Sequence, residues 1–182
     1  VMAAVAVGLL FGVAPDAIRR AVAAVRGVEH RLETVAGHER IRYGNDSQGT
    51  QPDAVIAALR SFRPPLVLIA GGRSKDLAID ELARVAVERA TAVLLIGEST
   101  PDFERIFRAA GHGRVERCAS LEAAVERATA IARHELANAA EGAVATVLLS
   151  PAAASFDMFA DYAARGRAFR AAVEALVAGR PS

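Results

Sequence analysis

The chain has a single cysteine, Cys118, so no disulfide can form within it. That is compatible with a reducing compartment, and the cytoplasm is the expected location. Lysine is nearly missing as well: Lys75 is the only one among 22 basic residues. The richness in arginine and alanine reflects genome composition and carries no functional reading, yet a lysine spared by that drift is worth locating. Charge of one sign is not in excess. The 22 basic residues stand against 21 acidic ones, a net charge of +1. Such a balance leaves no electrostatic footprint for nucleic acid or an anionic membrane. A long hydrophobic run is lacking too. Residues 1–13 are apolar but too short to span a bilayer, and they lack the basic start of a signal peptide. The chain opens without methionine, directly in a helix-like run, which reads as a piece cut from a longer protein.

What is present points to a packed core. Hydrophobic residues make up 53% of 182 positions and charged residues 24%, which fits one domain or one domain plus a fragment. The first two helices are expected over 1–11, as a buried helix, and from Pro15 to Arg26, with Ile18, Val22 and Val25 on one face. Two such helices cannot form a core alone. A short β pair is expected over 32–36 and 40–43, with its turn near Gly37 and His38. A polar loop runs from Gly44 to Thr50, and Pro52-Asp53 opens a helix through Leu59. From there strands and helices alternate. Strands are expected at 66–70, 92–96, 114–118 and 145–149, and helices at 77–89, 101–110, 120–138 and 161–177. Apolar runs such as Leu66 to Ala70 suit strands buried on both faces.

This alternation predicts an α/β fold, a Rossmann-like open, mostly parallel sheet flanked by helices, with mostly right-handed crossovers. In such sheets ligands bind outside the carboxyl ends of the strands. Three helix-preceding loops therefore gather at one edge, carrying Thr50, Lys75 and Ser155. The loop Ser150-Pro151-Ala152-Ala153-Ala154-Ser155 is small and polar, so its backbone N–H groups can approach a ligand closely. It precedes a helix, whose start favours negative charge. A carboxylate or phosphate suits it; an ordinary strand-to-helix loop also fits. Gly71-Gly72-Arg73-Ser74-Lys75 allows positive φ and offers a compact cation. It matches neither the P-loop nor the Gly-x-Gly-x-x-Gly spacing, and a solvated turn is the plain alternative. Asn45-Asp46-Ser47 with Thr50 reads equally as a metal or nucleotide loop and as an Asx-turn with helix capping. One carboxylate does not make a metal site. His38, His112 and His134 lie at spacings unlike those of metal ligands. Cys118 reads as a small core residue. Tyr162 and Phe169 share a helix face; core packing is the default, and Tyr162 also lies where it can wall the Ser155 pocket. No Ser/His/Asp or Cys/His arrangement is evident, so no catalytic residue is assigned.

Five segments in order carry a resemblance: His30-Arg31-x-Glu33; Asn45-Asp46-Ser47-x-x-Thr50; Gly71-Gly72-x-x-Lys75; Leu149-Ser150-Pro151-Ala152-x-Ala154-Ser155-x-Asp157-x-Phe159; and Arg165-Gly166-x-x-Phe169. Together they resemble the Mur ligases, and within them the members that add D-glutamate. Residues 28–182 look like the C-terminal, amino-acid-binding domain. Residues 1–27 look like the last helices of a central ATPase domain. The Asp-Asn-Pro-Arg motif of members that add a diamino acid is not present. The resemblance implies an ATP- and Mg2+-dependent ligase of peptidoglycan precursor synthesis. It would join D-glutamate to UDP-N-acetylmuramoyl-L-alanine through an acyl phosphate, as a cytoplasmic monomer. By the same resemblance, Thr50, Lys75 and Ser155 hold D-glutamate, Tyr162 flanks it, and Arg31 and Asp46 reach the nucleotide when domains close. Gln48 stands where the family often has lysine; it keeps a donor but lacks the charge. The P-loop and the Mg2+ ligands are not in these residues, so the chain as given is expected to be inactive alone. Two other readings remain: a Rossmann-like module that binds an acidic metabolite without catalysis, and a related ligase such as a polyglutamate-adding enzyme.

Overall fold

The computed structural model describes residues 2–24, 27–74 and 78–179. Among them the chain forms a sheet of six strands in the order β1-β2-β6-β3-β4-β5. β2 (Ile41–Asn45), β6 (Ala145–Leu149), β3 (Leu66–Gly71), β4 (Ala92–Ile96) and β5 (Val115–Arg117) run parallel, and β1 (Glu33–His38) closes one edge antiparallel to β2. The expected α/β fold, an open, mostly parallel Rossmann-like sheet, is the one observed.

The central strands are covered on both faces, which is why they read as continuous apolar runs. In β3, Leu66, Leu68 and Ala70 join one core cluster while Val67 and Ile69 join the other. The first cluster lies under α3 (Pro52–Ser61), α4 (Asp80–Arg89) and α5 (Thr100–Ala109). The second lies under α6 (Leu121–Ala137) and α7 (Tyr162–Ala178). A single crossover hand requires this split. The chain steps one way across the sheet through β3, β4 and β5, then reverses to insert β6 between β2 and β3; reversal puts the next helix on the opposite face. The carboxyl ends of β2, β6 and β3 thereby become neighbours at the reversal point, where open α/β sheets bind ligands.

Three expectations need correction. The hairpin turn is not at Gly37 and His38. It is the two-residue turn Glu39-Arg40, both at positive φ (50° and 61°), with His38 paired to Ile41. This is the backbone that the strand twist prefers, built here without the usual Asn-Gly. The first helix, α1 (Met2–Leu10), is not buried: neither it nor α2 (Pro15–Ala24) contributes a buried residue. Its apolar composition asks for cover that the described residues do not supply. Finally, Cys118 is only partly buried, against the α6 and α7 layer. Val25, Arg26, and Leu77 at the expected start of the fourth helix lie outside the described residues.

Candidate functional site

Three loops leave the carboxyl ends of β2, β3 and β6, and hydrogen bonds stitch them together. The Asp46 N–H donates to the Leu149 carbonyl (2.8 Å) and the Ala152 N–H to the Gly49 carbonyl (2.9 Å), joining the first loop to the third. Arg73 and Ala154 exchange backbone bonds of 2.9 and 3.1 Å, joining the second to the third. These contacts are close enough to demand glycine twice. A Cβ on Gly72, at φ 138°, would lie 2.1 Å from the Ala154 carbonyl oxygen, and one on Gly49 would lie 2.3 Å from Asp46 Oδ2.

Arg165 locks the assembly from α7. It is 1% exposed. Its Nε donates to Ser47 Oγ (3.0 Å), Nη1 to the Ala154 carbonyl (3.2 Å), and Nη2 to the Ser47 and Ala153 carbonyls (2.9 and 3.1 Å). Burial pulls its pKa down to about 10, with Asp157 opposing that through its charge. It remains a cation near neutral pH, and the guanidinium fork is matched to several acceptors at once. In the sequence Arg165 stands in a motif, Arg165-Gly166-x-x-Phe169, that marks no role for it. A charged helix residue followed by Gly166 was the only signal available.

Asp46 is 5% exposed. Its Oδ2 accepts from Ser150 Oγ (2.6 Å) and its Oδ1 from the Leu32 N–H (3.2 Å). Burial pushes the carboxyl above its ordinary range, while the Ser150 and Leu32 bonds and the charge of Arg31 oppose that shift. Arg31 itself is exposed beside it. His30 is buried at φ 62°. Its Nδ1 lies 3.0 Å from Asn45 Nδ2, and the same amide donates to the Gly166 carbonyl (3.2 Å).

The expected site residues fall around this framework. Thr50 and Gln48 lie in the β2 loop: the Gln48 N–H donates to the His30 carbonyl (3.0 Å), and the Thr50 N–H to the Gln48 carbonyl (2.8 Å). Gln48 Oε1 is buried with no partner among the described residues. Ser155 follows the residue that bridges to Arg73, and it is 3% exposed. Tyr162 is 41% exposed rather than core, unlike Phe169. Its carbonyl accepts from Ser47 Oγ (2.7 Å), and its ring stands edge-on to His30 with centroids 6.3 Å apart. Lys75 lies outside the described residues. One further correction concerns the helix after Ser155. α7 starts at Tyr162, capped by Asp161, whose carboxylate accepts from the Ala164 N–H (2.6 Å). The intervening residues separate Ser155 from the helix N-terminus. Among the described residues, no group of three His, Cys, Asp or Glu side chains is placed to hold a metal ion.

The layout defines a class first: a doubly wound α/β domain whose ligand edge is made by the loops of β2, β3 and β6. A profile of the family described as "Mur ligase, glutamate ligase domain" matches residues 30–153, and the chain belongs to that family. The UDP-N-acetylmuramoylalanine--D-glutamate ligase of Roseiflexus sp. (strain RS-1) is 49% identical over 175 residues, covering 96% of this chain and 36% of the relative. The enzyme of the same name from Symbiobacterium thermophilum is 41% identical over 177 residues, covering 97% and 37%. The chain thus spans little more than a third of the length of these relatives. Among solved structures, Mycobacterium tuberculosis folylpolyglutamate synthase complexed with ADP superposes with a TM-score of 0.66 at 18% identity, covering 97% of this chain and 38% of that one. That likeness speaks for the fold alone.

Proposed function

We propose that this chain is the amino-acid-binding part of an ATP-dependent ligase that joins D-glutamate to UDP-N-acetylmuramoyl-L-alanine in peptidoglycan precursor synthesis. The observation that carries the reading is the 49% identity, over nearly the whole chain, to a D-glutamate ligase. The stitched loops agree with it, because they hold hydroxyl donors at one sheet edge. In the reaction the alanyl carboxylate takes the γ-phosphoryl group of ATP and ADP leaves. The D-glutamate amine attacks the acyl carbon, and the tetrahedral adduct expels phosphate and loses a proton from nitrogen. This chain's share is to hold the dicarboxylate and orient its amine. Lys75 supplies the positive charge, Thr50 and Ser155 the neutral donors, Gln48 an amide, and Tyr162 a flanking wall. Charge-assisted hydrogen bonds of this kind contribute roughly 1.5–3 kcal/mol each.

Arg31, exposed beside Asp46, reaches the nucleotide on closure. Asp46 joins it with the lone pairs that Ser150 and Leu32 leave over. Most ATP contacts and the Mg2+ ligands belong to the part of the protein outside this chain, and the boundary falls at residues 27/28. Two findings support that boundary: the family match begins at residue 30, and α1 and α2 bury none of their side chains. The chain alone is inactive on this reading, and the whole enzyme is a cytoplasmic monomer.

The test follows ADP release by the full-length protein with UDP-N-acetylmuramoyl-L-alanine, offering D-glutamate, L-glutamate, L-lysine or diaminopimelate. Release that requires D-glutamate is expected. Lys75→Ala should lower kcat/KM for D-glutamate by about 10- to 150-fold, the loss of one charge-assisted contact. Release with a different amino acid overturns the substrate, and a polyglutamate-adding activity would surface there. No release with any of them leaves a non-catalytic module for an acidic metabolite.

A further inference from the structure

The opposite edge of the sheet, where β2, β3 and β6 begin, holds a second cleft. It encloses 390 Å³ between the end of α3 with the loop that follows it (residues 61–64) and the loop before β6 (residues 142–144). That volume lies in the range of small-ligand sites. Arg42 enters from β2 and Arg63 from the first loop. Arg42 pairs in register with Thr146 on the parallel neighbour β6, so the two side chains stand side by side on one face. Thr146 is 4% exposed and lines the cleft. Among the described residues, neither guanidinium has a carboxylate within ion-pair distance, and the Thr146 hydroxyl has no hydrogen-bond partner.

The surroundings do not neutralise this pair of charges. Glu39, on the adjacent turn, pairs with Arg133 at 2.5 Å and is not among the lining residues. Glu141 is exposed and is not among the lining residues. The wall bearing Arg63 is held in place, because Arg89 Nη2 donates to the Phe62 carbonyl (2.9 Å). Gly142 leaves the other side open, with nothing within 4 Å of a Cβ built there. Two like charges facing one cleft repel, and an oxyanion between them replaces that repulsion with two attractions. The planar guanidinium fork fits phosphate oxygens, and a buried hydroxyl adds a third donor.

We propose that this cleft binds a phosphate-type oxyanion, free or carried by a small metabolite, at the sheet edge away from the amino-acid site. The assignment does not depend on the ligase reading. It is tested by titrating the isotopically labelled full-length protein with inorganic pyrophosphate at fixed ionic strength and following backbone amides by NMR. Saturable shifts at Arg63, Val144 and Thr146 are expected. Arg42→Gln with Arg63→Gln should weaken that binding at least tenfold, and Thr146→Val severalfold. Arg63→Gln alone changes only an exposed loop side chain, so its loss of binding is not confounded by misfolding. Absent or non-saturating shifts at these amides overturn the proposal. So does an unchanged affinity in Arg63→Gln and the double variant, or shifts confined to residues 46–50 and 150–155. A parallel titration with ADP separates the sources: tighter binding than pyrophosphate at the same amides assigns a phosphorylated metabolite, and weaker binding assigns the free anion.

Discussion

Asp46 shows how one residue in the ligand edge sets stability against pH. Its burial favours the neutral carboxyl, and the bonds from Ser150 and Leu32 offset that only in part, so its folded pKa stands above the ordinary aspartate range. The sign follows from linkage. A group whose pKa is raised on folding contributes stability that is fully present below its unfolded pKa and is lost as pH rises through the folded value. Asp46→Asn keeps an acceptor for the Leu32 N–H and removes the titration. We therefore expect the variant to gain stability relative to the parent as pH climbs from about 3.9, the ordinary value for an unperturbed aspartate, into the neutral range. At pH 7 it should be at least as stable, within about 1 kcal/mol. Urea unfolding of both proteins at several pH values between 3.5 and 7 measures this. A stability difference that stays constant across that range would contradict the account. On the nucleotide role proposed for Asp46, the same variant should also lower ADP release by the full-length protein, which separates that role from the effect on the fold.

At the scale of elements, α7 is the strap that closes the ligand edge, and Gly166 decides how near it comes. A Cβ there would lie 2.2 Å from His30 Nδ1. In an unobstructed helix interior, Gly→Ala gains about 1 kcal/mol. Here the added methyl must displace the imidazole and its bond to Asn45, an overpacking penalty of about 1–3 kcal/mol. Gly166→Ala is expected to destabilise. In a His30→Gly background, which tolerates the φ of 62°, it should become neutral or stabilising. A double-mutant cycle by urea unfolding reads the coupling, and additive effects would refute the contact. The same helix marks the limit of what the chain's pattern reveals. β3, β4 and β6 are legible because a strand buried on both faces must be apolar throughout. The helix start at Ser120 is legible because capping is local chemistry; its hydroxyl accepts from the Ala123 N–H. Thr50 and Ser155 are placed at one edge by topology alone. Arg165 is not legible as an anchor: its burial depends on Ser47, Ala153 and Ala154 arriving together, and local periodicity holds no such information. The exposed apolar α1 is misread for a related reason, since composition states that a side chain wants cover but not where the cover comes from.

At the scale of the whole molecule, the stability of residues 28–179 should be independent of what precedes them. Met2, Leu10 and Phe11 are 83%, 84% and 83% exposed. Fully burying such side chains contributes roughly 1.5–3 kcal/mol each, and none of that is realised among the described residues. Both core clusters draw their residues from Ile41 onward. None of the described residues before 28 belongs to either core cluster, so their removal takes away exposed apolar surface. Chemical unfolding of the shortened chain should match the parent within about 0.5 kcal/mol. Sedimentation should show less self-association, because the exposed Met2, Val7, Leu9, Leu10 and Phe11 are gone. A loss of more than about 1 kcal/mol would mean that α1 and α2 support the sheet, and the boundary proposed at residue 27 would move into the core domain. An unchanged midpoint with unchanged self-association would keep the boundary but place the sticky surface elsewhere, with exposed Phe156 and Met158 beside the ligand edge as the next side chains to replace.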